Sequence, residues 1–569
     1  MPGLIGLSAA HLGDDASKCV SAMLELIAHQ PFHKSDELFT TEEVCAARVH
    51  TDIIQRDPQP STLSSFQVWI DGELYNQPEL SAMTDPSLRI ASAHNDAALL
   101  AALYQSDPQL SFLRHVDGIF SAVIVDAERS LVHLVTDRYG LRHLYYFHTD
   151  KSLAWASEVK AFLAIPEFTC RIDAQSVDDF FSVGYLLDNR TWLRGVTLLA
   201  PGSVLTFNIR SSHASISQYW NWRAIKPRSE AIDEPAIAAE LGRLFSEAVR
   251  RQSRSERDAP VGLTLSGGLD SRAILAAMPS AEPAEPIHAF TFGKPGCDDI
   301  RLARDVARTK GASHHVIELD RQNWLVERIP AVWWSDGQFN LLHMHGVESL
   351  DQQRNYYRIN LNGFLGDAVL GGSYIKPGAP ALTDTVDSRG RRFIIEGPAL
   401  ANNFIHTRIP FFANKLMEFT CSLPMSLLAE SYIYCKMLLA LFPEYYTTIP
   451  WQTTGVAISC PKSVEAAFSV LRRVRGKYYR LTGQSSRSTQ LFTDYAEWIR
   501  QPPACALFED FMLLSNPLHR EYLPKLCAAT LWREHVRGQD HSDQLCRILT
   551  FELWLQQLYN KAYRPSALT

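Results

Sequence analysis

Several features that would place this chain in a familiar class are missing from its 569 residues. It has no long run of basic residues and a formal net charge of −7, which argues against a nucleic-acid-binding protein. Its 10 cysteines include no CxxC pair, so neither a zinc site nor a disulfide framework is indicated. No segment reaches the roughly 18 uninterrupted apolar residues of a membrane span, and the N-terminus turns acidic before a signal-peptide core forms. We therefore expect a cytoplasmic protein that binds neither nucleic acid nor membranes.

The composition that remains is that of a globular enzyme, with 46% hydrophobic and 21% charged residues. A chain of this length is expected to fold as more than one domain. The first 210 residues show short strand patterns separated by turn residues, typical of an α+β domain with antiparallel sheet. The predicted elements of this part are strands at Phe66–Ile70, Ile119–Val125, Leu131–Thr136, Leu144–Phe147 and Leu153–Ala156 and a helix at Asp96–Tyr104.

The second half has a different pattern. Residues 211–235 end in a polar, proline-containing stretch and are predicted to be a linker between domains at 1–210 and 236–569. Strands then alternate with helices, which predicts a parallel sheet covered on both faces. The predicted elements are helices at Ala236–Arg251, Arg272–Met278 and Ile300–Lys310 and strands at Val261–Leu265 and Ile287–Phe292. From about residue 411 onward the pattern is mostly helical.

The strongest motif runs from Leu263 to Arg272 and reads LTLSGGLDSR. A buried strand leads into Gly267 and Gly268 and then into a helix, so backbone N–H groups and the helix N-terminus face an anion. Asp270 beside a polyphosphate is understandable if it holds Mg²⁺, because a bare carboxylate would repel the ligand. The motif lacks a Walker lysine, so γ-phosphate transfer is not expected. The alternative is a Gly-Gly turn that serves packing alone.

This motif resembles the pyrophosphate loop of the asparagine-synthetase superfamily, whose members cleave ATP to AMP and pyrophosphate while forming an acyl-adenylate. The segment Ile287–Gly293 resembles the family's second strand, which borders adenine, and Asn362–Gly372 resembles its SGxGADExxGG motif. By this match Asp270 and Asp367 are the catalytic, metal-binding carboxylates; the alternative for Asp367 is a loop-capping role. The resemblance implies an ATP site at Leu265, Ser266, Gly267, Gly268, Asp270, Ser271, Phe292, Gly293 and Gly363, with ATP and Mg²⁺ as cofactors.

The first 210 residues resemble the glutaminase domain of the same superfamily, a class II glutamine amidotransferase sandwich of the Ntn-hydrolase type. The matching segments are Asp71–Asn76, Asp117–Ala122, Asp137–Leu141, Ser157–Lys160 and Pro201–Gly202. The family's nucleophile is an N-terminal Cys, whereas this chain reads Met1-Pro2-Gly3 and has its first cysteine, Cys19, in a helical pattern. We therefore expect an inactive glutaminase-like domain, followed by an adenine-nucleotide α-hydrolase-like domain with a parallel sheet.

Two departures in the second domain indicate a changed acceptor pocket. Phe364 and Ala368 replace residues usual in the family, and Thr453 or Thr454 stands where the parent enzymes tend to have a catalytic Lys. Lys436 or another basic residue would have to replace that Lys.

The length, Gly366-Asp367 and the segment Ile449–Gly455 resemble lasso-peptide macrolactam cyclases. These adenylate an Asp or Glu side chain of a core peptide and join it to the N-terminal amine. The implied partners are the precursor or core peptide, a leader-binding protein and a transglutaminase-like leader peptidase.

Three alternatives remain open: a β-lactam or carbapenam synthetase, an ammonia-dependent synthetase, and a non-catalytic scaffold of a maturation complex. A peptide substrate would favour an aromatic rim, for which the candidates are Trp333, Trp334, Phe339, Tyr356 and Tyr357, although core packing is the favoured explanation of these residues. His343 and His345 lack a third ligand nearby in the sequence, and we interpret them as loop or strand residues.

Overall fold

The computed structural model describes residues 2–88, 95–228, 232–255, 259–279, 286–372, 374–375, 381–482 and 489–562. The N-terminal half is a sandwich of two antiparallel sheets. Its strands are β1 (Gly3–Ala9), β2 (Lys34–Ser35), β3 (Phe39–Thr40), β4 (Val44–His50), β5 (Ser61–Leu63), β6 (Phe66–Leu74), β7 (Gly118–Asp126), β8 (Leu131–Thr136), β9 (Tyr145–His148), β10 (Ser152–Ala156), β11 (Val196–Leu198), β12 (Ser203–Asn208) and β13 (His213–Gln218). Its helices are α1 (Ala16–Ile27), α2 (Gln77–Ser81), α3 (Asp96–Ser106) and α4 (Ala174–Val183).

The two sheets pack face to face through large apolar side chains. One sheet has the order β11-β9-β10-β1-β4-β2, with β3 also on β4, and the other has the order β13-β12-β8-β7-β6-β5. Trp69 from the second sheet and Trp155 from the first lie in the core between them. Helix α3 covers the outer face of the second sheet, and α1 packs on the first. The result is a four-layer arrangement in which strand β1 is central.

The predicted strands and hairpins of this half are confirmed, including the β7–β8 pair around residues 127–130. The predicted linker is too long, however, because β13 lies within residues 211–235 and pairs along β12. Its sequence, HASISQ, is polar and mostly exposed, as suits an edge strand with one neighbour. The linker prediction rested on the polar, proline-containing stretch that follows this strand in the sequence.

The C-terminal half is built on a five-stranded parallel sheet. Its strands are β14 (Val261–Thr264), β15 (His288–Gly293), β16 (Ser313–Glu318), β17 (Ile359–Leu361) and β18 (His406–Arg408). They follow the order β16-β15-β14-β17-β18, and each neighbouring pair is parallel. The chain order therefore reverses at β14, and a ligand crevice is expected beyond the carboxyl ends of the strands at this point.

Helices surround this sheet. They are α5 (Glu234–Gln252), α6 (Leu269–Ala277), α7 (Asp298–Lys310), α8 (Arg328–Trp334), α9 (Leu350–Gln353), α10 (Gly366–Val369), α11 (Leu382–Thr385), α12 (Glu396–Ala401), α13 (Asn414–Ser422), α14 (Met425–Leu428), α15 (Tyr432–Leu441), α16 (Pro443–Tyr446), α17 (Lys462–Leu481), α18 (Tyr495–Ile499), α19 (Ala504–Met512), α20 (His519–Tyr522), α21 (Ala528–Val536) and α22 (Ser542–Leu555). Two π-helical segments lie at Val386–Ile394 and Gln556–Asn560. Within the described ranges, none of the helices combines the length and the apolarity that crossing a bilayer demands.

Helix α17 differs from the others because it has no buried side chain over residues 462–479. Arg472 attaches it to the protein by donating to the carbonyl oxygens of Gln452 and Thr453 at 3.0 and 2.8 Å. A helix is normally stabilised by burying one face. Helix α17 instead leaves both faces accessible along most of its length.

Buried charges join the two halves. The carboxylate of Glu73, at the end of β6, accepts from Arg408 Nε at 2.8 Å and from His406 Nε2 at 3.0 Å, both on β18. Burial alone would raise the pKa of Glu73, but Arg408 and His406 outweigh it and hold this pKa well below its usual range. Glu73 and Arg408 therefore form a buried ion pair between the sandwich and the parallel sheet.

Candidate functional site

The phosphate loop lies where the sheet topology predicts a crevice. Ser266, Gly267 and Gly268 connect the end of β14 to the start of α6, and Gly363 follows the neighbouring strand β17. A Cβ on Gly363 would stand 2.7 Å from the backbone nitrogen of Ser271, and one on Gly267 would stand 2.9 Å from the Cβ of Gln452. These glycines are needed because backbone segments approach each other closely here.

Polar groups inside the protein already occupy the backbone donors of the loop. The Ser266 N–H donates to Ser271 Oγ at 3.0 Å, and the Gly268 N–H donates to Ser266 Oγ at 3.2 Å. The Gly267 N–H donates to the carboxylate of Asp299, at 2.9 Å from Oδ1. A phosphate bound here would compete with Asp299 for that N–H. The sequence alone did not identify Asp299 as part of the loop.

The two predicted metal-binding carboxylates lie together. Asp270 is in the first turn of α6 and Asp367 is in α10, and a Cβ on Gly366 would lie 2.6 Å from the Asp270 Cγ. Burial, and then the charge of Asp367, raise the pKa of Asp270 to about 7. Tyr434 donates its hydroxyl to Asp270 Oδ1 at 2.9 Å. A carboxylate whose charge is disfavoured by burial and by a second carboxylate nearby is well suited to bind a cation together with that neighbour.

The residues present fit a magnesium ion that is completed by phosphate. The described residues contain no cluster of three or more His, Cys, Asp or Glu side chains arranged for a metal. Mg²⁺ is commonly held by one or two carboxylates, with water and substrate phosphates filling its other positions. Asp270 and Asp367 supply such a pair at the end of the loop.

A buried arginine ties the loop to the segment expected to shape the acceptor pocket. Arg272, fully buried, donates to the carbonyl oxygens of Gly267 at 3.1 Å, Ile449 at 3.1 Å and Pro450 at 2.8 Å. The Gln452 N–H donates to the same Gly267 oxygen at 3.2 Å. The segment Ile449–Gly455 therefore lies against the phosphate loop, a placement that its sequence position did not reveal.

A cavity of about 1050 Å³ opens from these residues. Its walls include Asp270, Asp367, Thr453 and Thr454. Lys436 also lines it, and its ammonium group pairs with Glu234 and stands 4.5 Å from the ring centroid of Tyr432. The volume is at the upper end of the range for small-molecule sites.

The residues predicted to border adenine lie apart from that cavity. Leu265 is buried after β14, while Phe292 and Gly293 end β15. Phe492 covers this side, with its ring centroid 6.2 Å from that of Phe292. The Lys294 N–H donates to the Phe492 carbonyl oxygen at 2.7 Å. The segment around Phe492 therefore forms part of the wall on the predicted adenine side.

Core packing, the favoured interpretation of the five aromatic candidates, is confirmed for four of them. Trp333, Trp334, Phe339 and Tyr357 are buried in one hydrophobic core, and Tyr356 is exposed. They are explained by packing because α8 and the adjacent segments lie beneath the surface. The two histidines also have protein partners: His343 Nε2 is 3.5 Å from Asp543, and His345 Nδ1 is 2.9 Å from the Tyr495 hydroxyl.

The corresponding site of the N-terminal half is closed. Pro2, Asp71 and Arg142 line a cavity of only about 20 Å³, roughly the space of one water molecule. Arg142 donates to both carboxylate oxygens of Asp71, from Nε at 2.7 Å and from Nη2 at 2.8 Å. Cys19 lies in α1, as predicted, and burial raises the pKa of its thiol to about 11. A thiol in that state is a poor nucleophile.

Comparison with known proteins agrees with this division of the chain. Residues 1–220 match the glutamine amidotransferase domain family, and residues 240–385 match the asparagine synthase family. Asparagine synthetase (glutamine-hydrolyzing) 3 of Bacillus subtilis strain 168 is 30% identical over 42% of this chain and 38% of its own length. A putative asparagine synthetase (glutamine-hydrolyzing) 2 of Methanocaldococcus jannaschii is 25% identical over 56% of this chain and 61% of its own length.

The chain thus spans less than two thirds of the length of these two relatives. The asparagine synthetase (glutamine-hydrolyzing) of Cricetulus griseus aligns more extensively, with 22% identity over 74% of this chain and 77% of its own length. The N-terminal sandwich is of the class II glutamine amidotransferase, Ntn-like type, and the parallel sheet is that of an asparagine synthase domain, as expected. With these two domains in this order, the chain belongs to the asparagine synthetase superfamily.

Proposed function

We propose that this protein is an ATP-dependent, AMP-forming amide ligase that closes a macrolactam in a lasso-type core peptide. In this reaction an Asp or Glu side chain of the peptide is adenylated and is then attacked by the peptide's own N-terminal amine. One observation carries the proposal: the phosphate loop and its carboxylate pair open into a cavity of about 1050 Å³, whereas the glutaminase-like site holds about 20 Å³.

The loop geometry supports adenylation rather than γ-phosphate transfer. A substrate carboxylate oxygen attacks the α-phosphorus of ATP, the bond to the β-phosphate oxygen breaks, and pyrophosphate leaves. Phosphate oxygens would replace the present acceptors of the loop N–H groups, such as Asp299 at Gly267, and the N-terminus of α6 favours negative charge at the same place. Asp270 and Asp367 would hold Mg²⁺, which neutralises charge on the departing pyrophosphate. Tyr434 orients the Asp270 carboxylate through its hydroxyl hydrogen bond.

The closed N-terminal site supports an amine that does not come from glutamine. The Asp71–Arg142 ion pair and the small cavity leave no space for an amino acid there. The amine would instead enter the large cavity with the rest of the substrate, lose a proton and attack the acyl carbon, with AMP as the leaving group. Holding both ends of one peptide in this cavity lowers the entropic cost of ring closure.

The segment Ile449–Gly455 supports the choice of a peptide cyclase among the alternatives. Arg272 holds this segment against the phosphate loop, so Thr453 and Thr454 face the cavity beside the carboxylate pair. An adenylate must be shielded from water until the amine arrives. We propose that a leader-binding protein and a transglutaminase-like peptidase deliver the peptide as it is cut, which limits its exposure.

The experiment is a reconstitution with ATP, Mg²⁺ and the linear core peptide of the precursor encoded beside this gene. Mass spectrometry should show the loss of one water from the core peptide, with fragmentation placing the crosslink at its N-terminal amine. Chromatography should show AMP and pyrophosphate as the nucleotide products. Asp270→Asn serves as the inactive control because it retains the shape of the side chain but not its charge.

Three results would contradict the proposal, each in a different way. A linear peptide together with cyclisation of a small β-amino acid would favour a β-lactam synthetase. ADP and phosphate as products would exclude adenylation. No ATP–pyrophosphate exchange with any carboxylate, while the maturation proteins still bind, would favour a non-catalytic scaffold.

A further inference from the structure

The cavity at the carboxylate pair continues along helix α17. A second cavity of about 680 Å³ shares the lining residues Thr453, Thr454, Glu465 and Ser469 with the first. Together they form one channel, here called the α17 trough, which runs from Asp270 and Asp367 to Arg473 and Lys477. A small acceptor amino acid would occupy only its first part, because small-molecule sites generally measure about 300–1000 Å³.

Two cations at the far end of the trough are available to a ligand. Arg473 and Lys477 line the second cavity, and within the described part of the chain neither has a hydrogen bond or an ion pair. The cations near the other end are already paired, Lys462 with Glu430 at 2.7 Å and Lys436 with Glu234. The unpaired positive charge is therefore concentrated away from the carboxylate pair.

The helix presents different chemistry on its two sides. Glu465, Ser469, Arg473 and Gly476 recur at helical spacing and face the trough. Phe468, Leu471 and Tyr478 fall outside the trough lining and are exposed. Five basic residues and one acidic residue lie within 462–479, in a chain whose net charge is −7. Two exposed valines, Val470 and Val474, also line the trough. The trough side is thus a locally basic surface with some apolar area, and its charge complements an acidic, extended ligand.

From these observations we infer that the α17 trough binds the substrate peptide beyond its reacting carboxylate, with a substrate carboxylate at Arg473 and Lys477. This inference rests on the proposed function, since it takes the acceptor to be a peptide. The carboxylate is an acidic side chain or the free C-terminus of the peptide. The bound peptide would also supply α17 with the packing that it lacks.

The test is direct binding of the fluorescently labelled linear core peptide to full-length protein, measured by anisotropy without ATP. Arg473→Glu and Lys477→Glu should each weaken binding roughly fivefold or more, as expected for losing a partly exposed ion pair and adding repulsion. Arg475→Glu is the matched control. It makes the same charge change on the same helix, but Arg475 does not line the trough and donates to Tyr479 at 2.9 Å.

Two further peptides distinguish the source of the charge effect: one has only its C-terminus amidated, and the other has only its downstream acidic side chains changed to amides. The peptide that lacks the carboxylate bound by Arg473 and Lys477 should bind all four proteins with equal, weakened affinity. Adding salt should reduce the difference between wild type and Arg473→Glu for the unmodified peptide.

The outcomes separate this inference from the proposed function. Equal peptide affinity of Arg473→Glu, Lys477→Glu and Arg475→Glu would overturn the inference, while cyclisation by the wild type would leave the proposed function standing. A rise in the KM for ATP in place of weaker peptide binding would also overturn it and assign the trough to nucleotide. Charge-dependent peptide binding without cyclisation would overturn the proposed function alone.

Discussion

The two halves of this protein each contain a carboxyl whose pKa is raised to about 7, chiefly by loss of solvation, but the surroundings of these carboxyls differ. In the N-terminal half, burial raises the pKa of Asp96, whose oxygens accept from Gln55 at 2.5 Å, Gln77 at 2.7 Å and the Leu74 N–H at 2.9 Å. In the C-terminal half, Asp270 faces the charge of Asp367 at the edge of a large cavity. The difference teaches that a perturbed pKa indicates function only where the group retains an unsatisfied charge and access to a ligand.

The largest expected effect distinguishes these two carboxyls. Asp270→Asn and Asp367→Asn should each reduce ATP–pyrophosphate exchange by roughly 10²-fold or more, the usual cost of removing an electrostatic stabiliser. Asp96→Asn, a substitution in the N-terminal half, should leave the exchange rate of the folded protein within about twofold, because Asp96 accepts hydrogen bonds from Gln55, Gln77 and the Leu74 N–H and does not line the cavity at the phosphate loop. Comparable losses of exchange rate in all three variants, with unchanged circular dichroism spectra, would show that Asp270 is no more important for the reaction than Asp96.

A smaller effect is expected at the hydroxyl that orients Asp270. Tyr434→Phe removes one hydrogen bond to the metal-binding carboxylate, and its loss should lower the exchange rate about five- to tenfold, in keeping with a bond of roughly 1 kcal/mol. The Mg²⁺ concentration for half-maximal rate should rise. Tyr104→Phe, which removes a buried hydroxyl bonded to Asp126 in the N-terminal half, is the control. An unchanged Mg²⁺ requirement in Tyr434→Phe would show that this hydroxyl does not position Asp270.

The pH dependence of stability should be similar for the two carboxyls, whereas the response to Mg²⁺ should differ. Both folded-state pKa values are about 7, above the unfolded value of about 4. The neutral forms therefore contribute stability that is fully present below pH about 4 and is lost as pH rises through about 7. Thermal unfolding of metal-free protein should show this decline, and Asp96→Asn and Asp270→Asn should each reduce it.

Adding Mg²⁺ with ATP above pH 7 should then raise the Tm of wild type and of Asp96→Asn by a few degrees, because a ligand that binds the folded state stabilises it. The same addition should leave Asp270→Asn unchanged. A Tm increase in Asp270→Asn equal to that of wild type would place the cation elsewhere.

The smallest expected effect is none. Glutamine should neither yield glutamate nor accelerate product formation, because the Asp71–Arg142 pair fills the N-terminal site. Arg142→Ala opens this space but supplies no nucleophile, and it should remain inactive toward glutamine. Glutamate release above background from the wild type would show that the N-terminal site opens in solution.

Local patterns predicted much of the fold. The alternation of apolar residues predicted the β7–β8 hairpin, and the buried runs around Leu263 and Phe290 predicted adjacent parallel strands. Boundaries were less predictable: α5 begins at Glu234, before Pro235, because Asp233 caps it and proline is tolerated in a first turn. The linker is therefore shorter than predicted, because β13 lies at one end of the predicted range and α5 begins before the other end.

The site was predictable only where its residues are contiguous. Ser266–Ser271 are consecutive residues of the loop and the first turn of α6, so their sequence alone predicted a phosphate site. The contacts of Asp299 with Gly267 and of Arg272 with Ile449 were not predicted, because no local spacing encodes them. The trough along α17 was missed for the opposite reason: its helix buries nothing, so its pattern resembles that of an ordinary surface helix.

The buried Glu73–Arg408 pair gives the sandwich a role that does not depend on catalysis. Arg408 ends β18, within the sheet that carries the phosphate loop, and Glu73 is its carboxylate partner from the other domain. Removing one partner of a buried ion pair typically costs about 3–5 kcal/mol, a large share of a domain's stability. The N-terminal domain thus supplies the counter-ion of Arg408. A C-terminal domain without it would carry the uncompensated charge of Arg408 in its core.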